Sequence, residues 1–340
     1  MKKTFWSVIK IIFFLGLGGF FIWLFVHNLT SDQISQIWQS FKRADYSWIL
    51  LAVITGVISH ASRARRWMIL LEPMGYKPRF WNVFMAVFTG YLANLALPRL
   101  GEVSRCGVLT RYEKVPFNKG FGTVITERAI DMIFFLMLFF VNFVIQFRHL
   151  KNYIYDKVYM PLLLKLEAAG NASMMMFSVA MVIFIIVILV FIFRKKFYHL
   201  GFVIKIRDLI KGLVEGMKSL ISIRRPGEFV FHTFLIWGCY FTMTWLVFFS
   251  LPETSMLGLD AGLAVLVFGS IGIILVQGGI GVYPVIVAET LVLYNIDSLT
   301  GYSMGWILWS AQTFILVFIG GLSMMGLPII NRLIYDKKRN

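Results

Sequence analysis

The feature that most constrains this chain is a recurring run of apolar residues, each close to the roughly 20 residues a helix needs to cross a bilayer. Such runs cover about 11–26, 48–71, 119–147, 174–193, 229–250 and 303–330. A helix satisfies its backbone polar groups within its own segment, which lipid demands. The fold class expected is therefore an all-α polytopic membrane protein with about six full transmembrane helices. A hydrophobic content of 59% and a mean hydropathy of +0.77 fit no soluble domain. One integral membrane domain over 1–340 is expected.

Charge placement sets the topology. The net charge of +16 would suit nucleic acid, but Lys and Arg fall mostly between apolar runs, as the positive-inside rule expects. No nucleic-acid partner is expected, and the anionic inner leaflet is the better electrostatic match. Lys2, Lys3 and Lys10 put the N-terminus inside, and no small-residue cleavage site precedes His27 and Asn28. Residues 27–47, polar and weakly amphipathic, are placed outside. The cluster Arg194, Lys195 and Lys196 makes 174–193 exit inward, so 148–172 lies outside and 119–147 runs outward. Residues 72–80 and the basic stretch 98–118 then share the inner face. The segment 81–113 must leave and return on one side, as a re-entrant hairpin turning near Leu97 and Pro98.

The second half repeats this pattern. Residues 197–227 read as a basic amphipathic helix on the inner leaflet. The runs 259–276 and 282–294, separated by Gln277-Gly278-Gly279-Ile280-Gly281-Val282-Tyr283-Pro284, begin and end outside. They form either a second re-entrant hairpin or two short crossings. The tail after 330, with Arg332, Lys337, Lys338 and Arg339, is inside. This arrangement places 26 of the 33 Lys and Arg inside, 6 outside and Arg128 in the membrane. Two broken pairs entering from opposite faces match the inverted-repeat logic of secondary transporters, although the two halves share no sequence repeat.

Charges inside apolar helices cost about 2.5–3.5 kcal/mol each on insertion scales. They persist mainly where they face a cavity. Asn94, Pro98, Arg99, Gly101, Glu102 and Arg105 mark the first break, and Glu127, Arg128 and Asp131 follow in the next helix. Glu127 and Asp131 share a helix face and repel, so a cation is needed from Arg105, Arg128 or the group Arg63, Arg65 and Arg66. The functional reading is a polar chamber for a charged headgroup; the blander one is a salt-bridge network that fixes helix packing. Arg63 and Arg66 either capture phosphate through their planar forks or snorkel to the inner surface from a helix end. Gly278, Gly279 and Gly281 either present amides to an anion or simply break a helix. Glu289 is a weaker candidate, and Gly301 with Gly305 reads as helix packing. Cys106 and Cys239 are isolated, the five His have no ligand spacing, and no catalytic, nucleotide or metal motif occurs. No metal, no cofactor and no catalytic residues are expected.

The elements Arg63-x-x-Arg66-Trp67-x-x-Leu70-Leu71, Asn94-x-x-x-Pro98-Arg99-x-Gly101-Glu102-x-x-Arg105, Glu127-Arg128-x-x-Asp131 and Gly278-Gly279-x-Gly281 resemble the lysylphosphatidylglycerol synthase transmembrane (flippase-like) family, over roughly 5–330. The resemblance implies a membrane domain that moves lipids between leaflets, without the aminoacyl transferase domain fused to it in some members. The implied cargo is an anionic phospholipid or a polyprenyl-phosphate-linked lipid. Arg99, Arg105 and Arg128 would hold its headgroup, and Glu102, Glu127 and Asp131 would balance them. The alternatives are an integral-membrane enzyme of lipid or glycolipid synthesis, or a scaffold for a separately encoded lipid-modifying enzyme. The location implied is a bacterial plasma (inner) membrane, with both termini cytoplasmic.

Overall fold

A computed structural model describes residues 30–97, 99–155 and 223–337, with isolated positions at 23, 27, 159–161, 163, 164 and 181. Among the described residues there are nine α-helices and no strand. They are α1 (Ser31–Arg43), α2 (Tyr46–Leu71), α3 (Phe80–Ala96), α4 (Leu100–Glu113), α5 (Phe117–Ile154), α6 (Pro226–Phe248), α7 (Leu259–Leu275), α8 (Val282–Val292) and α9 (Ser298–Lys337). Four are long and apolar enough to span a membrane: α2, α5, α6 and α9. The expected crossings at 11–26 and 174–193, and the interfacial helix up to residue 222, lie outside the described residues. The last residues of that expected helix are corrected: 223–225 are not helical, and Pro226 begins α6 in the first-turn position that proline tolerates. Two loop boundaries also move. α5 continues past 147 to Ile154, and the stretch 27–47 contains α1, closed by a capping box between Thr30 and Gln33. An ion pair of Arg43 with Glu253, 2.7 Å, fixes its far end.

The first broken segment is a hairpin. α3 and α4 turn back at Leu97 to Arg99, where Arg99 takes a left-handed conformation (φ 66°) ahead of α4. The two helices touch at Gly90 and Gly101, so closely that a Cβ on Gly101 would lie 2.1 Å from the Gly90 carbonyl oxygen. Asn94 Oδ1 accepts the Gly101 N–H at 2.7 Å and closes the turn. The open ends are also joined: Arg79 Nε meets Glu113 Oε1 at 2.9 Å, and Asn82 hydrogen-bonds both Glu113 and Asn331 near the end of α9.

The second broken segment is a hairpin too. At 11 residues, or about 17 Å, α8 is too short for a hydrocarbon core of about 30 Å, which decides against two crossings. Gly278, Gly279 and Gly281 all have φ between 68° and 75°, a region that glycine enters at no steric cost. The open end is held by Gln146 of α5, whose amide donates to the Asp260 carbonyl at 3.2 Å and to the Tyr294 hydroxyl. α8 packs backbone to backbone on α9, where Gly301 meets Ala288 and Gly305 meets Pro284, the close approach that small residues permit.

α5 relates the two hairpins. The open end of the first, at Glu113, sits four residues before Phe117, and that of the second at Gln146, about 44 Å along the helix from Phe117. The hairpins therefore enter the bundle from opposite ends, and their tips meet inside it. Leu95 at the first tip lies against Gly278 at the second, whose carbonyl accepts the Trp309 indole N–H at 2.7 Å. A core of Phe88, Val247, Val265, Tyr283 and Leu308 packs around the second hairpin. Another, with Trp67, Val87, Leu109 and Val124, packs around the first.

Candidate functional site

Two polar features occupy the middle of the bundle. The first is a buried ion cluster from three helices. Positions three apart on α2 put Arg63 and Arg66 on one face, and positions four apart on α5 do the same for Glu127 and Asp131. Arg63 Nη1 reaches Glu127 Oε1 at 2.7 Å and Asp131 Oδ2 at 2.5 Å. Arg66 Nη2 reaches Asp131 Oδ1 at 2.6 Å and Glu127 Oε1 at 3.5 Å. Arg105 of α4 adds Nη1 at 3.3 Å from Glu127 Oε2, while its guanidinium lies 4.7 Å from the Trp67 ring centroid, within cation–π range. All five are buried, Glu127 and Arg66 completely. Thr233 Oγ1 accepts from Arg66 and the Tyr240 hydroxyl accepts from Arg63.

Arg63 and Arg66 thus do not snorkel to a surface. Only their neighbour Arg65 is partly exposed, and it pairs with Glu228 at 2.8 Å. Three guanidinium and two carboxylate groups leave the cluster one positive charge in excess. Desolvating charges this deeply is tolerable only because each has close counter-charges. The cluster ties α2, α4 and α5 together, and so anchors the first hairpin to the spanning helices.

The second feature is a cavity of about 450 Å³ where the hairpin tips meet. One residue beyond Glu127, and so turned about 100° around α5, Arg128 leaves the cluster and lines this cavity. Its Nη2 lies 3.2 Å from Glu102 Oε1 on α4, and 42% of its side chain is exposed. Tyr91, Asn94 and Leu95 from the first hairpin, and Ser270, Ile274 and Gly278 from the second, line the same space. His60, Tyr240 and Gln312 complete its polar wall from α2, α6 and α9. Ile273 and Ile274, which line it, are exposed, as is the adjacent Leu275.

The residues singled out in the sequence divide between these places. Arg63, Arg66, Arg105, Glu127 and Asp131 make the cluster, while Arg128, Asn94 and Gly278 line the cavity with Glu102 behind Arg128. Gly101, Gly279 and Gly281 shape the hairpin turns, Arg99 is exposed beside the first turn, and Pro98 lies outside the described residues. Glu289 is exposed on α8, away from both features. His60, Tyr91, Tyr240 and Gln312 carry no motif, because they come from four helices and are ordinary residues in apolar runs. Among the described residues, no group of His, Cys, Asp and Glu gathers at metal-binding distance.

The lysylphosphatidylglycerol synthase TM region matches residues 7–321. A UPF0104 membrane protein of Pyrococcus horikoshii is 24% identical over 277 residues, covering 77% of this chain and 82% of its own. Another, of Methanocaldococcus jannaschii, is 33% identical over 101 residues, 29% of this chain and 30% of its own length. A Haloferax volcanii protein named glycosyltransferase AglD is 28% identical over 91 residues, covering 26% of this chain and 15% of its own length. The chain thus spans less than a third of the length of two of these relatives. No solved structure matches it. With hairpins, ion cluster and family motifs falling within the matched 7–321, the chain belongs to the lysylphosphatidylglycerol synthase transmembrane-region family.

Proposed function

We propose that this protein moves a lipid with an anionic headgroup between the two leaflets of a cell membrane. The observation that carries the reading is the cavity at the meeting point of two opposed hairpin tips, with one guanidinium in its wall and apolar side chains at its rim. Broken helices meeting from opposite faces are the architecture that places a substrate site near the midplane. Irregular backbone is tolerable at that depth where it is buried or lines a cavity. Arg128 is the guanidinium in the cavity wall; it is paired with Glu102 at 3.2 Å but 42% exposed, whereas Arg63, Arg66 and Arg105 are buried in the cluster. The acyl chains remain in the bilayer beside Ile273, Ile274 and Leu275 while the headgroup crosses. The basic stretches between the helices support an orientation with both termini in the cytoplasm. A second reading, an accessory role in building a lipid-linked sugar, draws on the partial match to a protein named as a glycosyltransferase.

The test is reconstitution into vesicles holding phosphatidylglycerol labelled with a fluorophore on an acyl chain, with dithionite added outside. The wild type is expected to expose the protected inner-leaflet lipid to the quencher, and Arg128→Gln to leave most of it protected. A protected fraction in wild-type vesicles equal to that of protein-free vesicles would overturn the reading. Transport by Arg128→Gln at the wild-type rate would remove Arg128 from it.

A further inference from the structure

The buried cluster is one negative charge short, and the shortage falls on Arg105. Arg63 and Arg66 each meet a carboxylate oxygen at 2.7 Å or less, and each leaves only its Nε without a partner among the described residues. Arg105 is 3% exposed, and its ion pair with Glu127 is longer, at 3.3 Å. It leaves both Nε and Nη2 without a partner among the described residues. Those two nitrogens share one edge of the guanidinium, the fork that takes a carboxylate or phosphate through two parallel bonds. An empty fork at this depth is costly, and the Trp67 ring 4.7 Å away offers it no oxygen.

A matching carboxylate stands close by. Glu102 lies three positions before Arg105 on α4, a spacing that makes side chains neighbours on one helix face. Its Oε1 meets Arg128 at 3.2 Å, while its Oε2 is buried and has no partner among the described residues. One carboxylate therefore stands between two guanidinium groups and answers only one of them. The pair it makes is the weaker choice, because the Arg128 side chain is 42% exposed and water screens such contacts. Buried polar atoms without partners need a reason. Here an empty acceptor and an empty two-donor fork share one face of one helix.

Resting on the lipid-moving reading, we infer that Glu102 is an exchangeable counter-ion, which holds Arg128 while the cavity is empty and turns onto the Arg105 fork when an anion takes Arg128. Charge balances better after the exchange than before it. With the cavity empty, Glu102 neutralises Arg128 and the cluster keeps its excess charge. With the anion bound, the ligand neutralises Arg128 and Glu102 neutralises the cluster. Glu102 is thus a positioning residue, and Arg105 acts through it without touching the ligand. Because Arg105 also joins α4 to Glu127 of α5, the exchange links occupancy of the cavity to the anchoring of the first hairpin.

A crystal structure of the full chain carrying Arg128→Met tests the exchange without any lipid. Methionine leaves Glu102 no partner in the cavity wall, so its carboxylate is expected about 2.7–2.9 Å from Arg105 Nε and Nη2. A Glu102 that stays in place, or turns to solvent with the fork still empty, would overturn the inference. Retention of phosphatidylglycerol by the full chain in mild detergent, read by native mass spectrometry, gives the second arm. Arg105→Gln leaves a cluster of two guanidinium and two carboxylate groups, and leaves Glu102 no second partner. Retention is expected to fall about tenfold, the worth of a charged hydrogen bond. Adding Glu102→Gln removes the competitor for Arg128 and is expected to restore retention. A fall that Glu102→Gln does not relieve would make Arg105 a packing residue and overturn the exchange. An unmoved Glu102 in a protein that moves phosphatidylglycerol would overturn the exchange and leave the lipid-moving reading standing. A relocated Glu102 in a protein that neither retains nor moves that lipid would support the exchange and overturn the reading.

Discussion

Glu127 and Arg128 are adjacent in sequence, yet they face different surroundings and are expected to fail differently. Glu127 is fully buried and touches Arg63, Arg66 and Arg105. Glu127→Gln leaves three guanidinium groups facing Asp131 alone. Breaking a buried ion pair from one side costs about 3–5 kcal/mol, so a marked fall in thermal midpoint in detergent is expected. Arg128→Gln removes a half-exposed partner of Glu102 and is expected to cost no more than about 1 kcal/mol, as for exposed pairs, and under the proposed function to abolish lipid movement. The two midpoints, measured side by side, check this division; equal losses would merge cavity and cluster into one structural unit. The i, i+4 spacing of Glu127 and Asp131 was legible in the sequence, as was their need for a cation. Which arginine would answer was not, because Arg63, Arg65 and Arg66 read equally well as a basic helix end. His60 was illegible for another reason: a lone histidine in an apolar helix has no partner within helical spacing, and Tyr91 and Tyr240 join it only through the packing of α2, α3 and α6.

At the level of elements, the first hairpin depends on two glycines in contact. A methyl on Gly101 would sit 2.1 Å from the Gly90 carbonyl oxygen and 2.6 Å from the Asn94 side chain. Both neighbours belong to the hairpin, and the obstructing oxygen is backbone, which cannot rotate aside. Gly101→Ala is expected to push α3 and α4 apart at a cost of about 1–3 kcal/mol, as overpacking does. Gly107, on the same helix, has nothing within 4 Å of such a methyl. There alanine is expected to be neutral, or stabilising by about 0.5–1 kcal/mol through helix propensity. Unfolding both variants in detergent gives the comparison, and a Gly101→Ala midpoint at or above that of Gly107→Ala would contradict the hairpin contact. The break itself could be read from Pro98, Gly101 and the polar residues after them, and the second break from its glycines. The partner of Gly101 could not, since many glycines precede it and only the turn geometry at Arg99 brings Gly90 opposite.

At the scale of the whole molecule, the basic residues predict which side of the membrane each loop occupies, and the contacts predict which loops share a side. These are independent lines. Arg79, Asn82, Glu113 and Asn331 gather at one end of the bundle, and Gln146, Asp260 and Tyr294 at the other, with no reference to charge counting. The first group lies among the segments that the positive-inside rule puts in the cytoplasm, and the second among those it puts outside. What sequence alone left open was the route of 259–294, because parity permits two crossings or a hairpin; the length of α8 and the glycine turn decide it. Single cysteines probe the result, since the native Cys106 and Cys239 are buried. Lys77→Cys and Lys114→Cys flank the first hairpin at exposed positions, and Met256→Cys, 95% exposed, precedes the second. A membrane-impermeant maleimide is expected to label Met256→Cys in intact cells, and the other two only after permeabilisation. Reversal of all three would invert the protein in its membrane and leave the hairpins intact. Labelling of Lys77→Cys and Lys114→Cys from different sides would mean that α3 and α4 cross rather than return, and the cavity at the meeting of the two tips would lose one of its walls.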